Sequence, residues 1–195
     1  MIGKQAKILK KKDIKRMLDY VSDLTYPERN RVMVLLSLKA GLRAKEIASL
    51  TWSMVMEPSR EIGEVLHLPY QASKGKSGRV IPLHPELKEA LERLREVYPR
   101  RLTPKAYIIF SKHGPKLNPC RVVAWFGKVF KALGLEGCSS HSGRRTFITQ
   151  AARKVSEVGG SLRDVQVLAG HSSLSITQRY IETNTDAHKR LIALL

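Results

Sequence analysis

Apolar positions recur at helical spacing through most of this chain and alternate only in its middle. Ile14, Met17, Leu18, Val21 and Leu24 form a first amphipathic stripe. "TYPE" then sets Thr25 and Glu28 at capping-box spacing ahead of an apolar helix through "VMVLLSL", and Gly41 is the residue type that ends it. The next helix opens near Arg43 and covers "RAKEIASL". It turns Ile47 and Leu50 to one side and leaves Arg43 at its exposed N-terminal corner. Between Trp52 and Leu83 the period shortens to "SMVME", "EVLHL" and "GRVIPL", broken by Pro58-Ser59-Arg60 and by the loop "SKGKSG", which predicts a small antiparallel sheet. Helices return at His84-Pro85, with Leu87, Leu91 and Leu94 as their stripe, and at Asn118-Pro119 before "CRVVAWFGKVFKALG". Three more are predicted near residues 141–154, 161–169 and 173–181, and a short one after Asp186. With no internal repeat and no linker, the pattern predicts one mainly α domain with a small antiparallel β-sheet, an α+β fold, over residues 1–195.

Composition agrees with a packed fold and adds a partner. The 195 residues are 43% hydrophobic, enough for a core. Lys and Arg number 35 against 17 Asp and Glu, a formal charge of +18, so the surface attracts a polyanion, and nucleic acid is the leading candidate. A basic membrane-surface protein would need a longer cationic amphipathic helix with an apolar anchor face. No apolar run approaches membrane-spanning length and "MIGKQAKILKKKDIKR" lacks the apolar centre of a secretory signal, so the cytoplasm is the expected location. Cys120 and Cys138 then read as reduced thiols. The basic run "KILKKKDIKR" reads as a solvated helix face or a sequence-blind phosphate contact.

Three stretches carry candidate chemistry. In "HSGRRTFITQAA", Phe147, Ile148, Ala151 and Ala152 mark the buried side of a helix, while His141 and Arg144 share its first turn. An imidazole and a guanidinium at a helix N-terminus make an anion site. In "SLRDVQVLAGH", Ser161 and Asp164 form a capping box, Gly170 is the C-cap and His171 emerges after it. "SSLSITQRY" starts another helix, predicted to carry Tyr180 about two turns in. Two arginines, two histidines and a tyrosine at helix ends suit phosphoryl transfer without a metal. Arginine forks hold a phosphodiester's non-bridging oxygens, and tyrosine can conserve the phosphoester bond in a covalent intermediate. The leaving alkoxide needs a proton, and Lys74 in "SKGKSGRVIPL" is the candidate donor.

With these stretches in order, the sequence resembles the tyrosine recombinases, or phage-type integrases, over nearly its whole length. "GLRAKEIASLTW" is similar to the family's first arginine box, "SKGKSGRVIPL" to its lysine hairpin, "HSGRRTF" to its His-x-x-Arg box and "LAGHSSLSITQRY" to its terminal His-to-Tyr box. The resemblance implies that Arg43 and Arg144 clamp the phosphate, Lys74 is the general acid, His141 and His171 are hydrogen-bonding histidines and Tyr180 is the nucleophile. Glu46 matches the acidic position that supports the first arginine, and Lys76, Arg79 and Arg145 are expected DNA contacts. It implies a duplex-DNA substrate, a tetramer on DNA, an accessory DNA-bending protein and no cofactor or metal. Arg145 stands where the family more often has histidine, and the helical DNA-binding domain that precedes most family members is expected to be absent, either because this is an excised domain or because the chain resembles shorter recombinases such as the fimbrial switch invertases.

Taken singly, each residue has an ordinary explanation. A histidine after a helix C-cap commonly satisfies terminal carbonyls, a tyrosine two turns into a helix is commonly half-buried core, and Arg43 or Lys74 alone would be a solvated charge. Cys138 and His141 have no second ligand pair to complete a zinc site. Three functions compete: a strand-exchanging recombinase, a type IB topoisomerase-like relaxing enzyme and a DNA-binding module with a dead site. The complete residue set argues against the last. The apolar tail Leu191, Ile192, Leu194 and Leu195 favours the first, because it offers a surface to dock on a neighbouring protomer.

Overall fold

A computed structural model describes residues 6–69, 78–98, 102–180 and 192–193. Helices α1 (Lys11–Ser22), α2 (Pro27–Lys39) and α3 (Ala44–Ser49) come first. Strands β1 (Val65–Leu68) and β2 (Arg79–Pro82) follow, and then α4 (Pro85–Glu96), α5 (Pro119–Ala132), α6 (Ser142–Lys154), α7 (Leu162–Ala169) and α8 (Leu174–Gln178). The mainly helical architecture with a two-stranded antiparallel sheet is the one expected.

Helix α2 is the axis of the fold. Its residues 32–36 are all fully buried, so it is apolar all round and contacts α1, α3, α4 and α6. The crossing with α6 is close because Gly143 has no side chain; a Cβ there would collide with Ser37 of α2. This brings the first turn of α6 against the end of α2, where Gly41 turns the chain at φ 62. The main core joins α1, α2, α3, the sheet, α4 and α5, with Trp52 and Phe126 among its largest buried side chains. A smaller cluster around Ile148, Val165 and Ala169 gathers Phe147, Ala151, Ala152 and Tyr180.

Strand register sets the sheet's two faces. Leu66 pairs with Ile81 and Leu68 with Arg79, so Leu66, Leu68, Ile81 and Arg79 all turn inward. Arg79 is therefore on the core side of its strand.

Three local expectations need correction. Thr25 and Glu28 form no capping box: α2 starts on Pro27 at its first position, with Tyr26 as a left-handed N-cap at φ 65. A cap at Thr25 would have put Tyr26 in helical conformation directly before a proline, which is sterically disfavoured. "SMVME" is not a strand, since Trp52–Met54 make a 3-10 turn that buries Trp52 and Val55 together, leaving only isolated bridges at Thr51 and Met56. Finally, α8 stops at Gln178, and the Tyr180 N–H donates to the Thr177 carbonyl at 3.0 Å, so Tyr180 lies in the turn beyond the helix. The helix predicted after Asp186 lies outside the described residues, apart from positions 192–193. Cys120 and Cys138 are free thiols, and no helix among the described residues is long and apolar enough to cross a membrane.

Candidate active site

The centre of the site is a buried carboxylate. Glu46, in the first turn of α3, is 1% exposed, and burial by itself would raise its pKa. The Arg79 fork and the Arg43 donors overcome that and hold the carboxyl below its ordinary value. Arg79 Nη1 and Nη2 donate to Oε1 and Oε2 at 2.9 and 3.1 Å. Arg43, the N-cap of α3, gives its backbone N–H to Oε2 at 2.8 Å and Nη1 to Oε1 at 3.1 Å. The side chain of Arg43 stays 25% exposed while that of Arg79 is only 5% exposed.

Arg144, in the first turn of α6, completes the cluster. Its Nη1 donates to the Gly41 carbonyl at 2.6 Å and its Nη2 to the Ala169 carbonyl at 2.7 Å, so one 4%-exposed guanidinium ties the turn after α2 to the end of α7. Each of those nitrogens keeps a second N–H. Burial foremost, then Arg43 and Arg79, lower its pKa to about 10, against the opposing pull of Glu46 and Tyr180. Three guanidinium groups thus share one carboxylate, and the surplus positive charge is held in place by packing.

His171 follows Gly170, which ends α7 in the left-handed conformation at φ 62. Its Nδ1 is hydrogen-bonded to Thr177 Oγ1 at 2.9 Å, and its ring stacks on Tyr180 with centroids 5.4 Å apart and planes inclined by 23°. Burial first, then Arg144, Arg43 and Arg79, lower its pKa to about 4, so the imidazole is neutral at pH 7. Tyr180 lines a cleft of about 250 Å³ with Ala6, His141, Arg144, Arg145, Ile176 and Arg179. His141 is the exposed N-cap residue of α6. Arg145 points its Nη1 to the Ala6 carbonyl at 3.0 Å, which brings the chain before α1 to the rim of the cleft.

The structure therefore gathers Arg43, Glu46, Arg144, His171 and Tyr180, with His141 and Arg145 bordering the same cleft. Lys74 and Lys76 lie outside the described residues. Arg79, expected as a DNA contact, is instead buried and spends its fork on Glu46. The signal was in the sequence: in "GRVIPL" a period of two that turns Ile81 inward turns Arg79 inward as well. Two side chains escaped sequence reasoning. Arg179 could have been noted as a cation directly before Tyr180. Thr177 gave no such signal, because its contact with His171 arises only from the turn after Gly170.

The model of the phage integrase family matches residues 7–187. The chain belongs to the phage integrase family. Among curated family members it is homologous to tyrosine recombinase XerC of Rickettsia typhi, 33% identical over 159 residues, covering 80% of this chain and 48% of that protein. XerC of Rhizobium meliloti is 33% identical over 164 residues, covering 84% and 48%. The chain thus spans about half the length of these relatives. Among solved structures, XerA recombinase superposes with a TM-score of 0.74 at 22% identity, covering 96% of this chain and 64% of that one. The Tn1549 transposon integrase in complex with a circular intermediate DNA gives 0.73 at 17%, covering 100% and 67%, and these likenesses establish the integrase fold.

Proposed function

We propose that this chain is the catalytic part of a site-specific recombinase that cuts and rejoins duplex DNA through a 3′-phosphotyrosyl intermediate. The observation that carries the reading is the surplus of guanidinium groups around Glu46, next to a tyrosine stacked on a neutral histidine. Fixed cations with one carboxylate among them favour a further anion, and a phosphodiester brings the planar, bidentate chemistry that arginine matches.

On this reading Arg43 and Arg144 hold the non-bridging oxygens, and donors on His141 and His171 add hydrogen bonds. In the tautomer where Nδ1 accepts from Thr177 Oγ1, the neutral His171 carries its proton on Nε2 and can offer it to the phosphate. The Tyr180 hydroxyl releases its proton to solvent as its oxygen attacks phosphorus, and a P–O bond to tyrosine forms. The bond from phosphorus to the 5′ oxygen breaks, and that oxygen takes a proton from Lys74. Attack by a 5′ hydroxyl reverses the sequence, so no ATP is consumed. The arginines supply charge that a metal would otherwise supply, so EDTA leaves the reaction running.

Lys76, Arg145 and Arg179 are read as phosphate contacts on the duplex. Strand exchange calls for a tetramer on DNA, with the tail after Asp186 docking on a neighbour and an accessory DNA-bending protein ordering the complex. The XerH recombinase bound to its difH substrate and the lambda integrase dimer bound to a core site, both similar in fold, support a duplex partner. The test is covalent trapping: incubated with nicked suicide DNA from the flanks of its own gene, the protein forms an adduct stable to denaturation. Failure to form one in any flank, or strict dependence on Mg²⁺, overturns the proposal. Relaxation of supercoiled DNA without strand exchange would reassign the chain as a topoisomerase-like enzyme.

A further inference from the structure

The Arg79 side chain is only 5% exposed, and it spends both terminal nitrogens on one carboxylate. Its two terminal nitrogens meet the two oxygens of Glu46 at 2.9 and 3.1 Å. A carboxylate offers about four lone-pair directions. Here all are used: two by Arg79, one by Arg43 Nη1 and one by the Arg43 backbone N–H. Arg79 is also wedged in place. It sits opposite Leu68 on the inward face of β2, and a Cβ on Gly170 would lie 2.7 Å from its Nη1 and 3.1 Å from its Cδ and Cζ. Gly170 directly precedes His171, so Arg79 joins the Leu68–Arg79 end of the β1–β2 pair to α3 and to the C-cap of α7.

We propose that Arg79 is a positioning residue that keeps the Arg43 fork open to solvent, beside Arg144, by occupying the paired acceptor edge of Glu46. The proposal rests on the recombinase reading, in which Arg43 needs free donors for the scissile phosphate. Arginine and carboxylate favour a two-point, fork-to-fork pairing. Arg43 is held to one side-chain bond only because Arg79 has taken the other geometry, and that leaves Arg43 25% exposed. Without Arg79, a carboxylate 1% exposed would be left with one side-chain partner, and the Arg43 fork would turn inward to satisfy it. The guanidinium that faces DNA is thereby set by one that never touches it. A lysine at position 79 supplies one donor nitrogen where the fork supplies two, so it reproduces half of the hold.

The test compares Arg79→Met, Arg79→Lys and the double variant Arg79→Met/Glu46→Gln, measuring DNA affinity and, separately, the rate of covalent adduct formation within the bound complex. Expected for Arg79→Met is affinity within about threefold of wild type and a cleavage rate lower by about 10²-fold, the scale of a misplaced catalytic group. Arg79→Lys recovers part of that loss. The double variant also cleaves faster than Arg79→Met, because a neutral amide at position 46 no longer draws Arg43 inward. An independent readout needs no DNA: removing one of the three cations that face the His171–Thr177–Tyr180 group raises the His171 pKa from about 4, read from its ring NMR signals. Unchanged cleavage in Arg79→Met, or an unmoved His171, overturns the proposal. A loss seen only as weaker affinity with a shallower salt dependence overturns it too, and returns Arg79 to direct phosphate contact. Should Arg79→Met not fold, Arg79→Lys carries both measurements. If wild-type protein forms no adduct at all, the recombinase reading fails first, while the His171 titration still decides what Arg79 does to the cluster.

Discussion

The two walls of the site are built in opposite ways. On the arginine wall Glu46, Arg79 and Arg144 are each below a tenth exposed, and every link is a charge-assisted bond or a bond to a backbone carbonyl. On the other wall Tyr180 follows a five-residue helix, its carbonyl taking one long bond of 3.3 Å from Thr149 and its ring resting on His171. A helix that short has little strength of its own. Preorganised donors serve a phosphate whose charge must be met without reorganisation. A nucleophile that joins the phosphorus and later leaves it needs freedom to travel. On the proposed recombinase reading, the contrast is therefore between a rigid holder of phosphate and a lightly tethered reactant.

The sharpest way to break this contrast is to remove the reactant alone. Tyr180→Phe deletes one hydroxyl from the lightly held wall and leaves the cations untouched, so adduct formation on suicide DNA falls by at least about 10⁴-fold while DNA affinity is retained. Adduct at anything near the wild-type level would move the nucleophile elsewhere.

The two walls also differ in how legible they were. Arg43, Arg144, His171 and Tyr180 belong to short boxes at helix ends whose caps are written in local sequence, such as Ser161 with Asp164 and the left-handed Gly170. The helices themselves followed from period, except where geometry outside the window intervened. Pro27 vetoed a cap at Thr25, and Trp52 with Val55 went inward as a single turn. What stayed hidden were contacts between elements far apart in sequence: Arg79 on Glu46, Arg144 on the Gly41 and Ala169 carbonyls, and Arg145 on Ala6. Burial direction was legible for Arg79 from strand alternation, but its partner was not.

Next in size is the general acid, where Lys74 and Lys76 compete for one role. Lys74→Ala slows cleavage by about 10²- to 10⁴-fold, and a bridging 5′ sulfur, which leaves without a proton, restores most of it. Lys76→Ala loses affinity with little sulfur rescue. Rescue of Lys76→Ala instead would exchange the two assignments.

The rigid wall is probed by Arg144→Lys, which keeps the charge and removes the fork. One ammonium cannot serve the Gly41 and Ala169 carbonyls and a phosphate together. Cleavage drops by about 10²- to 10³-fold, as for loss of a donor to the transition state, and the melting temperature falls as well. A normal cleavage rate with only the melting temperature lowered would show that Arg144 is purely a structural tie.

The smallest expected effect falls on the link between the walls. Thr177 is fully buried, and its hydroxyl is the partner of His171 Nδ1. Thr177→Val keeps the shape and removes that partner, so the imidazole loses its orientation and cleavage declines by about 10-fold, in line with the loss of one supporting hydrogen bond. The pH dependence separates orientation from charge. His171 has a folded pKa of about 4 against 6.5 for an ordinary histidine, so between these values the unfolded chain binds a proton that the folded chain refuses. Stability from this group is therefore full above about pH 6.5 and is lost as pH falls towards 4, by on the order of 3 kcal/mol. The depression comes from burial and from Arg144, Arg43 and Arg79, none of which Thr177→Val removes, so the acid limb of the stability curve stays where it is and only the cleavage rate changes. A limb displaced by about one pH unit or more would mean that the threonine sets the proton on His171 as well as the angle of its ring.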